Sequence, residues 1–342
     1  MKRRLAMVLS LAFMIVFGWG GFASAHVSNE KQIYKDVADS QAKEEITKLR
    51  AIGVIGFVEG EENFEPKSEL NKKTLGFWLA KAGNLKGHTE KPTPDEYAEE
   101  SVENKYIDNL EGKATYGDVV TGILKVIGVK DVEKPAEQAE ELGILEGKWH
   151  DLVDANGIAT KENTALLFDM ALDKKGPSGK SINDILGIKP GPVGIVNDVK
   201  EEKVTVDGQE KETFKLTIDG KEFPFYGEGK IALYDNLLAA KGKQAAESYL
   251  KTIVEPGKPA TDMIVFVMGE GNQKAEPVVS NESKKEEVKT AATNENSKEK
   301  TETAGKKAEK EAGVSVGTVW TVIILVLAAI SIGIYVSGRK KA

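Results

Sequence analysis

Apolar residues follow three different rhythms along this chain. Near each end they run almost without interruption: residues 5–22 are broken only by Ser10 and glycines, and residues 313–338 carry no charge over 26 positions. Between residues 40 and 172 they recur every three to four positions, the spacing of helices with one buried face. From Val193 onward they alternate, as on half-buried strands.

The helical part repeats. Residues 70–82, 114–126 and 159–171 align, with starts 44 and 45 positions apart. Each window opens on a small or apolar residue and a capping-type Asn or Thr, then shows helical apolar spacing. Thr160 is the expected N-cap of the third, with Asn163 at N3. Another helix precedes each window. Residues 40–52 place Ala42, Ile46, Leu49 and Ile52 on one face and stop at Gly53. Residues 94–106 are a more polar version, and residues 135–142 a shorter one ending at Gly143. Similar loops follow the first and third, Gly53-Val54-Ile55-Gly56 and Gly143-Ile144-Leu145-Glu146-Gly147. A unit of helix, glycine turn, loop and helix, used three times, predicts an all-α three-repeat bundle over 26–176, divided at about 34–82, 90–128 and 131–174.

Residues 177–191 are expected to be a linker. Beyond it, 193–199 and 203–207 predict two strands joined by a charged turn. Residues 213–218 alternate cleanly, Asp219-Gly220 is a hairpin signal, and 222–226 return along it. Residues 237–250 predict a helix and 263–268 a buried strand. The expectation for 192–272 is a separate small, mainly-β domain with one helix, a barrel or OB-like.

The termini add a compartment. Lys2, Arg3 and Arg4, the apolar run and Ala23-Ser24-Ala25 have the layout of a secretory signal peptide, 1–25, cleaved before His26. Residues 273–312 contain no aromatic, and 274–312 hold nine Lys and nine Glu, so a disordered stalk is expected. Residues 313–338 are long and apolar enough for a single transmembrane helix, with Trp320 and Tyr335 near its ends. Arg339, Lys340 and Lys341 place the tail, 339–342, in the cytoplasm. The expected location is therefore the cell membrane, single-pass, with the ectodomain on the cell-wall side. No cysteine is present, so disulfides and thiolate metal sites are excluded, and a net charge of −7 argues against nucleic acid.

The repeat region resembles the S-layer homology family. Tyr34-Lys35-Asp36-Val37 is similar to its opening F-x-D-V, and residues 46–56 resemble its A-I-x-x-L-x-x-x-G-I-I-x-G core. Phe64-Glu65-Pro66 resembles its F-x-P turn, and Thr160-Lys161-Glu162 its T-R-A-E signature. The resemblance implies a three-pronged helical bundle that binds a secondary cell-wall polysaccharide, often pyruvylated, without covalent attachment. It also implies a sugar site at Thr160, Lys161 and Glu162, with Lys72 or Lys73 as a second position. Where the family has its motif arginine, this chain has Lys72 or Lys73, Tyr116 and Lys161. Lysine keeps the charge but lacks the planar fork that fits a carboxylate. Arg50, the one arginine between the signal and the stalk, lies on a first helix instead. Trp149 is a candidate either for stacking on a sugar ring or for packing.

Other motifs fail. Gly179-Lys180-Ser181 lacks the first glycine of a phosphate loop, since Lys174 stands there. Asp154-Ala155-Asn156-Gly157 lacks calcium ligands at its first and twelfth positions, Leu152 and Asn163. His26, His88 and His150 form no metal-ligand pair, and no nucleophile elbow occurs. The expected function is a non-enzymatic tether between the cytoplasmic membrane and wall polysaccharide or an S-layer, with no cofactor and no metal. The alternative is a membrane-anchored protein-interaction subunit of an envelope complex.

Overall fold

The computed structural model describes residues 27–56, 58, 60–206, 209–254, 259–271 and 276–277. The segments expected to be a signal peptide (1–25), a membrane span (313–338), a tail (339–342) and, apart from 276–277, a stalk (273–312) lie outside the described residues. Among the described residues no helix is long and apolar enough to cross a membrane.

Among the described residues nine helices come first: α1 Glu30–Ile33, α2 Lys43–Ile52, α3 Lys72–Ala82, α4 Pro94–Glu103, α5 Tyr116–Val126, α6 Pro135–Glu141, α7 Lys148–Asp154, α8 Lys161–Ala171 and α9 Ile182–Leu186. Local chemistry sets their ends. The Asn71 side chain accepts from Thr74 N, and Thr93 with Glu96 and Thr115 with Asp118 form capping boxes. Pro94 and Pro135 occupy first-turn positions, where a missing N–H costs nothing. Gly53 closes α2 in the left-handed conformation, its N–H donating to Leu49 O.

The starts of α3, α5 and α8 are tied in a ring. Leu70 N donates to Ala159 O at 2.8 Å, Ala114 N to Leu70 O at 2.9 Å, and Ala159 N to Ala114 O at 2.9 Å. The next bonds repeat the pattern: Lys72 N to Gly112 O, Tyr116 N to Gly157 O and Lys161 N to Ser68 O. Leu70, Ala114 and Ala159 are fully buried, so small or apolar residues there let three backbones meet without unpaired polar groups.

Seven strands follow: β1 Ile188–Pro190, β2 Gly194–Val206, β3 Gln209–Ile218, β4 Lys221–Ala232, β5 Gln244–Ala245, β6 Glu247–Ile253 and β7 Thr261–Met268. Their order is β1-β6-β7-β4-β3-β2-β5, antiparallel except for β4 against β7. β1 with β2, and β5 with β6, are nearly continuous in sequence. Ile188 pairs with Lys251 and Ile195 with Gln244 in one register, so the sheet curls until its two ends join. Val196, Leu216, Phe225, Ile264 and Val267 are buried inside the curl. Its outer face packs on the helices: Ala232, Tyr249, Val265 and Phe266 belong to the same apolar core as Ile46, Leu49, Trp78 and Phe168.

The expected architecture is therefore corrected. The chain is not an all-α bundle followed by a separate small β domain; the transmembrane helix expected at 313–338 lies outside the described residues. It is a mixed α/β unit in which helices and a seven-stranded mixed sheet share one core. The reason is α2, whose apolar face is covered partly by the sheet. The stretch 177–191 is not a free linker: α9 and β1 lie in it, and Ile182 and Ile188 are buried in that core. The helix expected at 237–250 is a short 3-10 turn, Leu237–Ala240, broken at Gly242 (φ 78°) before β5 and β6. The charged turn expected near 200–202 is continuous β2, because half-buried cross-strand ion pairs such as Glu202 with Lys215 accommodate those charges.

The N-terminus of the described chain is pinned to the sheet. Ser28 bridges Lys230, and the Asn29 amide donates to Tyr234 O and Asp235 O. A three-way ionic contact joins helices and sheet: Lys48 Nζ of α2 lies 2.9 Å from both Asp169 of α8 and Glu247 of β6.

Candidate sugar site at the ring edge

The ring repeats one device twice and departs from it once. The first residue of α3, Lys72, reaches the third residue of α5, with its Nζ 3.7 Å from Asp118 Oδ2. The first residue of α5, Tyr116, accepts a bond at Oη from the Asn163 amide, at the third position of α8, at 2.8 Å. At the remaining junction the third position of α3 is Thr74, which offers no charge. Lys161, first in α8, turns to the loop after α2: its Nζ donates to Phe64 O at 2.9 Å and lies 3.5 Å from Glu65.

A cavity of about 160 Å³ opens at that junction. Lys161, Lys73, Asn71 and Thr74 line it, with Tyr34, Phe64, Phe77 and Trp78 as aromatic walls. Phe64 stacks on Trp78 at 5.7 Å and tilts against Tyr34 at 5.4 Å. Lys161 Nζ lies 5.8 Å from the Phe64 ring centroid, a cation held on an aromatic face. Glu61 and Asp95 also line the cavity, so its charges balance. Burial raises the Glu61 carboxyl, and Lys161 acts against that rise. Burial pushes the Tyr34 phenol up to about 12, which keeps it a neutral donor. Pockets for drug-sized ligands run from roughly 300 to 1,000 Å³, so this one suits a single sugar substituent or ring end.

The sequence-derived candidates separate here. Lys161 and Lys73 meet in the cavity. Lys161 is held, its side chain 13% exposed, whereas Lys73 is 51% exposed and pairs with Asp95 at 2.7 Å. Thr160 caps α8, accepting from Asn163 N. Glu162 is buried and accepts from Ser40 Oγ at 3.1 Å, a bond that positions the chain rather than facing a ligand. Lys72 stands at the neighbouring junction. Trp149 belongs to the core and borders a different cavity, of about 840 Å³. Sequence reading missed Asn71, Glu61 and Asp95 as cavity-lining groups. The signal available for Asp95 was Pro94, which marks a helix start, but nothing in the repeat says that this start faces α3.

No family model matches the chain, and no curated protein matches it.

Proposed function

We propose that this protein is a non-enzymatic surface tether that grips an acidic cell-wall polysaccharide at the ring-edge cavity and joins it to the cytoplasmic membrane. The observation that carries the reading is the broken third junction, where two lysines meet four aromatic rings. An acidic substituent can pair with Lys73 by displacing the exposed Asp95 carboxylate, above a floor of four nearly buried rings. The charge-free segment 313–338 supports the membrane end of the reading. Titration of the purified full chain with soluble secondary-polysaccharide fragments tests it. Lys73→Ala is expected to weaken binding about ten-fold, the loss of roughly 1.4 kcal/mol. Equal affinity in parent and variant sinks the site.

One observation favours a second reading. Lys161 is already satisfied by Phe64 O and Glu65, which suits a purely structural lysine. In that reading the repeats hold an envelope protein instead. Recovery of one stoichiometric envelope partner, with no polysaccharide binding, selects it.

A further inference from the structure

We propose that His88, Glu100 and Glu103 form a site for a divalent transition-metal cation of the zinc class. It is independent of the sugar site. Glu100 and Glu103 stand one helical turn apart on α4, so their side chains share a face. His88 comes from the loop before the helix and lays its ring over that face. Its Nε2 is 3.2 Å from Glu100 Oε1 and 3.9 Å from Glu103 Oε1. The three donor atoms all lie within 4.8 Å of one another.

Those separations suit an ion at their centre. Zinc bonds of about 2.0–2.1 Å in a tetrahedron put neighbouring ligand atoms about 3.3–3.4 Å apart. The two histidine–glutamate separations bracket that value, so small side-chain rotations complete three coordination positions and leave the fourth to water. The outer contacts fit as well. The Asn104 amide donates to Glu100 Oε2 at 3.3 Å and to Glu100 O at 2.9 Å, which orients the carboxylate and leaves Oε1 for the ion. Glu100 is 12% exposed and anchored, whereas His88 and Glu103, at 59% and 63%, are accessible to an incoming ion. Imidazole nitrogen with carboxylate oxygen selects zinc-like ions over calcium, which takes six to eight oxygen ligands. A motif search for paired histidines overlooks such a set, because the two carboxylates lie 12 and 15 positions beyond the histidine.

The test is calorimetric titration of the metal-stripped full chain with zinc chloride, with calcium chloride in a parallel arm. The parent is expected to take up one saturable equivalent of zinc. Affinity should fall at least about ten-fold in His88→Ala and in Glu103→Gln. His150→Ala, which alters a histidine beside a lone glutamate 3.5 Å away, should bind as the parent does. Unchanged melting of the metal-free His88→Ala and Glu103→Gln proteins shows that any loss is not misfolding. No saturable zinc uptake, equal uptake by parent and His88→Ala, or tighter binding of calcium than of zinc overturns the proposal.

Discussion

Replacing Glu45 by Gln isolates one buried carboxyl at the junction of helices and sheet. Burial, followed in weight by the charge of Asp169, pushes the Glu45 carboxyl from 4.5 up to about 7. Its Oε2 is buried without a hydrogen-bond partner among the described residues. The sign follows from proton uptake. Between pH 4.5 and 7 the folded chain holds this proton while the unfolded chain releases it. Stability therefore falls as pH rises through that window, and the slope vanishes on either side. At about 1.36 kcal/mol per pH unit the full window is worth about 3 kcal/mol. Glu45 also borders the larger cavity, and water there trims the effect toward about 2 kcal/mol. Urea unfolding of parent and Glu45→Gln at pH 4.5 and pH 8 measures it. The variant should exceed the parent by about 2–3 kcal/mol at pH 8 and nearly match it at pH 4.5. A difference between the two proteins that is the same at both pH values means that Glu45 does not hold a proton in the folded chain above pH 4.5.

Lys48→Ala removes the cation that Asp169 and Glu247 share and leaves two carboxylates facing each other; the expected loss is about 3–5 kcal/mol, read by thermal melting. A loss below about 1 kcal/mol shows that the contact between α2, α8 and the sheet is not a structural joint. Thr115→Ala deletes a capping box at the ring and should cost about 1 kcal/mol in urea unfolding. Gly176→Ala sets a methyl 2.1 Å from Ile127 O, a backbone atom, so a loss of about 1–3 kcal/mol is expected; a neutral result means this turn yields.

Three helical starts were legible because capping is local: Asn71, Thr115 and Thr160 each cap the helix that their neighbours predict. The Asp219-Gly220 turn was legible for the same reason, both residues having positive φ. The covering of α2 was not legible. Ile46 and Leu49 announce a buried face, but their spacing is the same whether a helix or a sheet lies against it. The curl of the sheet was hidden because β5 has only two residues and its pairing with β2 joins positions about 50 apart. The cavity was half legible. Lys161 and Lys73 stand out as first-turn lysines. That Lys161 is held by Phe64 O follows from a loop position nearly a hundred residues earlier, which no periodicity encodes.

Sedimentation of the purified full chain with isolated cell walls, before and after chemical extraction of their secondary polysaccharide, tests the tether most directly. The protein is expected to pellet with intact walls and to stay soluble with extracted walls, and Lys73→Ala to weaken its pelleting with intact walls. Equal pelleting with both wall preparations, or pelleting with neither, contradicts it.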